Sequence, residues 1–110
     1  VLKTGKVKIF WSEFAEENLH AIHNYYKDNA SKRVADTVIN SIFHSTEILK
    51  KSSKAGKIEP VLEVLSQNHR FIISTNYKIV YKEIQEGILI TDVFDSCQDP
   101  SKIGDESRLD

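Results

Sequence analysis

Lysines alternate with apolar residues at Lys6-Val7-Lys8-Ile9, and Phe10 and Trp11 follow. A period of two predicts a first strand over 6–11 with one buried face. The period then changes. Ala15, Leu19, Ile22 and Tyr26 recur at steps of four, three and four, the apolar stripe of an amphipathic helix. Ser12 precedes the stripe and is suited to accept a bond from an orphan N–H of the first turn. Glu13, Glu16 and Glu17 put negative charge where the helix dipole favours it. The helix should end near Asp28-Asn29. Ser31 is a second cap, and Ala35, Val38, Ile42 and Leu49 mark a second helix to about Lys51, its face widened by Val34, Ile39 and Phe43. The connection is short, so the two helices are expected as antiparallel neighbours. Their apolar faces need a sheet to cover.

The second half supplies it. Lys50, Lys51, Lys54 and Lys57, with two serines and Gly56, make a cationic loop. After Glu59-Pro60, a short apolar segment, Val61, Leu62, Val64 and Leu65, has no clear type. From Arg70 the period returns to two. Phe71 to Thr75 is one run, and Asn76 suits a tight turn because it tolerates the left-handed region. In Tyr77 to Lys82, Tyr77, Ile79 and Tyr81 share one face, and Lys78, Val80 and Lys82 share the other. Gln85-Glu86-Gly87 reads as a hairpin turn, with Gly87 able to take a positive φ. Ile88 to Phe94 is the last strand. The fold class expected is α+β: an N-terminal strand, an antiparallel helical hairpin and a three-stranded antiparallel meander from Arg70 to Phe94. The first strand joins the sheet at an edge or pairs in parallel inside it. One domain over 1–110 is expected, with a core over about 6–100 and a polar, flexible tail over 101–110.

Composition narrows the class. The chain has 110 residues, 40% hydrophobic and 28% charged, with a formal net charge of -1. That is the balance of one globular domain without an overall pull toward nucleic acid. No apolar run approaches the roughly 20 residues that span a bilayer. No signal peptide is expected in Val1 to Lys8, and a chain that begins at Val1 and lacks Met is expected to be processed at its start. The single cysteine, Cys97, excludes a disulfide framework and suits a reducing cytoplasm.

Candidate chemistry is sparse. His20 and His23 share a helix face, but two ligands do not make a zinc site, so no metal or cofactor is expected. The four glycines are scattered and form no phosphate loop. No histidine follows His69, and none is expected at a strand end. Arg70 and Lys78 both carry even numbers and are expected on one face of neighbouring strands, where an RNA phosphate, an acidic partner or an internal carboxylate would offset their repulsion. An acid–base ribonuclease would draw on Asp92, Asp95, Glu83, Tyr77 and Tyr81.

The string Arg70…Tyr77-Lys78-Ile79-Val80-Tyr81, with Val93-Phe94-Asp95-Ser96-Cys97-Gln98-Asp99-Pro100 and the start Ile9-Phe10-Trp11-Ser12, resembles the RelE/ParE toxin superfamily in this order of elements. The resemblance covers roughly 6–103. It implies a toxin of a chromosomal or plasmid-stabilising type II toxin–antitoxin pair, held inactive by a cognate antitoxin that wraps around it. RelE-like members cut messenger RNA in the ribosomal A site, whereas ParE-like members poison DNA gyrase without a nuclease constellation. In a RelE-like ribonuclease the resemblance points to Arg70, Lys78, Tyr81 and Asp95 as the site. Cys97 stands where both branches often carry an arginine, and no late histidine or tyrosine is present. Between Arg70 and Pro100 three cations face five acids, a poor surface for ribosomal RNA. The ParE-like reading is therefore preferred, a non-enzymatic gyrase binder. A ribosome-dependent endonuclease and an attenuated homologue are the alternatives.

Overall fold

The computed structural model describes residues 7–109. Five strands form one sheet: β1 (Lys8–Trp11), β2 (Lys57–Ile58), β3 (Arg70–Ser74), β4 (Tyr77–Ile84) and β5 (Gly87–Asp95). Their order across the sheet is β1-β5-β4-β3-β2. The α+β class is as expected, and β1 takes the edge position, parallel to β5. Lys6, expected to begin this strand, lies outside the described residues. Gly87 has φ +148°, and a Cβ there would meet the Lys8 carbonyl oxygen at 2.2 Å. This glycine is what lets β1 come so close to β5.

Helices α1 (Glu13–Asn29) and α2 (Lys32–Ser45) cover one face of the sheet. Both serine caps form: Ser12 Oγ accepts from the Ala15 amide and Ser31 Oγ from the Val34 amide, each at 3.1 Å. The second helix ends before the expected Lys51. The Ser45 and Thr46 hydroxyls donate to the carbonyls of Ile42 and Phe43, each at 2.7 Å. These bonds satisfy carbonyls of the last α-turn, and the chain tightens into a 3-10 helix over Thr46–Lys50. Leu49 keeps its place in the core.

The core under the helices contains Ala15, Leu19, Ile42, Leu49, Ile79, Tyr81, Ile88 and Ile90. The opposite face carries a smaller cluster of Leu62, Val80, Phe94 and Ile103. Two short 3-10 helices supply its outer layer, Pro60–Leu65 and Pro100–Gly104. The described part of the chain after residue 100 packs on this face. Ile103 is buried in that cluster, Leu109 packs beside it, and Arg108 is tied to β5.

Register corrects another expectation. Thr75-Asn76 is a two-residue turn, and Ser74 pairs with Tyr77, Ile73 with Lys78 and Arg70 with Tyr81. Cross-strand partners share a face, so even numbers on β3 go with odd numbers on β4. Arg70 therefore lies on the helix side with Tyr81, and Lys78 lies on the opposite side. The left-handed residue of the turn is Thr75, φ 54°, not Asn76. Between β4 and β5 the register slips by one: Val80 pairs with Asp92, but Tyr81 pairs with Ile90. The bulge at Thr91 keeps Ile88, Ile90 and Val93 all facing the helices, and turns Asp92 and Phe94 to the other side.

Candidate functional site

The four residues of the nuclease expectation do not converge. Tyr81 is fully buried, donates to the Ser53 carbonyl at 2.7 Å and accepts from the Gly56 amide at 3.0 Å. Burial pushes its phenol above the ordinary value, against the opposing pull of the Gly56 amide and Arg70. Arg70 Nη1 donates to the Gly56 carbonyl at 2.8 Å. A Cβ on Gly56 would meet the Phe71 carbonyl oxygen at 2.5 Å and the Tyr81 ring and hydroxyl at 2.8 Å, so only glycine fits there. Tyr81, Gly56 and Arg70 together fasten the lysine loop to the sheet. Within that loop, Lys54 reaches Glu83 at 3.4 Å and Ser53 donates to the same carboxylate, and these contacts hold the Glu83 carboxyl below its usual range.

Lys78, on the other face, is paired with Glu59 at 2.9 Å and lies 4.3 Å from the centre of the Phe71 ring. Glu59 is fully buried, and its second oxygen accepts from the Val61 amide, which starts the 3-10 helix. Beside this pair is a cleft lined by Gln67, His69, Lys82, Thr91, Asp92 and Arg108. His69 directly precedes β3, contrary to the expectation that no histidine sits at a strand end. It is buried, and among the described residues its Nδ1 has no hydrogen-bond partner. Burial, then the Lys82 charge, lowers its pKa, so the ring is neutral near pH 7. Lys82 itself donates to Gln67 at 2.9 Å.

Asp92 and Asp95 leave the sheet on opposite sides. Asp92 is buried and takes a two-pronged bond from Arg108, 2.9 and 2.7 Å, plus one from Asn18 at 2.9 Å. The guanidinium lies between the Phe14 and Phe94 rings, 5.1 and 4.9 Å from their centres. Asp95 closes β5 opposite Tyr77 and accepts from the Cys97 amide at 2.9 Å. It lines a cleft of about 430 Å³ with Tyr25, Tyr26, Tyr77, Asn76 and Gln98. Burial first, then the Tyr26 hydroxyl, pushes the Tyr77 phenol far above its ordinary value.

The remaining candidates are scattered. Cys97 is exposed in the turn after β5. His23 bonds Asp36 at 2.8 Å, which Lys32 also reaches at 2.8 Å. Among the described residues no group of three or more His, Cys, Asp or Glu side chains is arranged to hold a metal ion. No helix among them is long and apolar enough to cross a membrane. Glu59, His69 and Arg108 were not singled out from the sequence as site residues. Glu59-Pro60 before an apolar run was a readable helix start. Nothing local announces that Arg108 reaches β5.

A two-helix layer on one face of a five-stranded sheet whose first strand runs parallel to its last defines a small α+β domain. The model of the ParE toxin of the type II toxin–antitoxin system parDE matches residues 9–100. The chain belongs to that family. A solved chain described as the chromosomal ParDE TA system from P. aeruginosa is similar in fold, with a TM-score of 0.68, 18% identity, and coverage of 81% of this chain and 95% of that one. A search among curated proteins finds no match.

Proposed function

We propose that this chain is a toxin neutralised by a cognate antitoxin, and that it acts in the cytoplasm by binding DNA gyrase rather than by cutting RNA. One observation carries the reading: three of the four groups expected of a nuclease are committed to holding the fold. Tyr81 and Arg70 clasp Gly56, and Lys78 is spent on Glu59. A proton-transfer group must reach its substrate, and a phenol enclosed between two backbone partners does not. Protein binding needs no such set. It needs apolar surface, and Leu19, Ile39 and Phe43 line a groove of about 450 Å³ between α1 and α2 with His20 and His23 at its rim. That groove suits an apolar stripe of an antitoxin segment.

Induced expression without the antitoxin is expected to arrest growth, and the purified protein is expected to inhibit gyrase supercoiling. Arrest with normal supercoiling would overturn the gyrase target. Growth equal to an empty vector would leave the attenuated homologue, with Cys97 in place of the late arginine, as the reading. The ribosome-dependent endonuclease has one observation in its favour, the buried His69 with its unpartnered Nδ1 beside Lys82. It predicts cleavage of a translated message that His69→Gln abolishes, and intact message under full expression excludes it.

A further inference from the structure

The chain twice holds a cation by the same device. Arg108 lies between two phenylalanine rings with its charge on Asp92, and Lys78 lies over Phe71 with its charge on Glu59. The cleft at the far end of β5 contains the same ingredients, turned toward solvent. Tyr25 and Tyr26 meet edge to face, 5.2 Å between ring centres at 88°. Tyr77 forms the floor, and Asp95 stands across the sheet from it. Among the described residues no cation lies within ion-pair distance of Asp95. Arg108 is on the cleft wall, but its charge is met by Asp92. The charge that faces the cleft is therefore the Asp95 carboxylate, and the Tyr77 phenol feels it.

We infer that the cleft between α1 and the end of β5 binds the side chain of an arginine presented by a partner protein, with the guanidinium against the tyrosine rings and its charge on Asp95. Aromatic faces attract cations through their quadrupole, and the attraction strengthens as the site is desolvated. Arginine fits better than lysine because its planar group stacks on a ring while its fork bonds a carboxylate. The side-chain amides of Asn18, Asn76 and Gln98 on the walls offer acceptors for the remaining N–H groups. The volume suits one extended side chain and part of its backbone. This goes beyond the gyrase reading and does not depend on it.

The test is a titration of the isotope-labelled protein with N-acetyl-arginine-methylamide, followed by NMR. Saturable shifts are expected at the amides of Asn76, Tyr77, Asp95 and Gln98 and on the rings of Tyr25, Tyr26 and Tyr77. The citrulline analogue has the same shape without the charge and should give no saturable shift. Asp95→Asn should weaken the arginine probe roughly threefold or more, in line with the loss of a partly exposed ion pair. Tyr25→Ala should weaken it about threefold to fivefold by removing one ring face. Tyr25 is 59% exposed, so this variant keeps the test decisive if Asp95→Asn fails to fold. Equal shifts with citrulline, or none with arginine, would overturn the inference. Growth arrest and supercoiling are not read in this experiment, so its failure is separate from failure of the toxin reading.

Discussion

The two faces of the sheet are held by different physics. Toward α1 and α2, Ile79, Ile88, Ile90 and the ring of Tyr81 are removed from water against Ala15, Leu19, Ile42 and Leu49. Burial of this kind is non-directional, and each side chain contributes roughly 1.5–3 kcal/mol. Among the described residues, the buried apolar cluster of the opposite face is the smaller one of Leu62, Val80, Phe94 and Ile103. Around it lie the Glu59–Lys78 and Asp92–Arg108 pairs and the buried His69. Such pairs add little net stability when intact, but removal of one partner strands the other in a low-dielectric site. The helix face should therefore yield gradually to substitution, and the opposite face abruptly and with a dependence on pH.

The largest effect expected is that of Glu59→Ala. It leaves Lys78 without its carboxylate and the 3-10 helix without its cap, at a cost of about 3–5 kcal/mol in urea unfolding. The double variant Glu59→Leu with Lys78→Met should recover most of that loss. If the single variant behaves like a surface substitution, the contrast between the faces fails. On the helix side, Tyr81→Phe keeps the ring but leaves the Ser53 carbonyl and Gly56 amide unpaired, a loss of ~1–3 kcal/mol by the same measurement.

The pH response is smaller and has a definite sign. His69 has its pKa lowered in the folded state, chiefly by burial, so below about pH 6.5 the unfolded chain binds the extra proton. Stability from this residue is complete above that pH and is lost as pH falls toward the folded value. The slope of stability against pH between 5 and 6.5 should flatten in His69→Gln, and an unchanged slope would assign the acid sensitivity elsewhere. The smallest effect lies in the turn. Thr75, β-branched and at φ 54°, is strained, so Thr75→Gly should gain about 0.5 kcal/mol after the entropy cost of glycine. A loss would mean that the Thr75 hydroxyl bond to the Ser74 carbonyl matters more than the strain.

The helix face was the legible one. Ser12 and Ser31 as caps, the Ala15-Leu19-Ile22-Tyr26 stripe and the Tyr77-Ile79-Tyr81 alternation are all local patterns, and each appears where it was expected. The other face was illegible because its structure is made by distant partners. Ile103 and Arg108 sit in a polar stretch with no period, and their burial depends on Phe94 and Asp92. Strand β2 has two residues, too few for any alternation. The separation of Arg70 from Lys78 turned on one count: two turn residues pair even positions with odd. The bulge at Thr91 likewise carries no signal, yet it decides which way Asp92 points. The site suffered most, since Tyr81 and Lys78 were judged by residue type, and the structure shows both enclosed by partners.

The parallel pairing of β1 with β5 has a consequence for synthesis. Ser12 meets Thr91 across 79 positions of sequence. At a translation rate of about 5–20 residues per second, roughly 4–16 s separate the making of those two residues. Until β5 is made, β1 has no neighbouring strand and the sheet under the helical hairpin is incomplete. The first strand in the sequence is thus the one that must wait longest for its neighbour, and the delay gives the cell a window before the fold is complete.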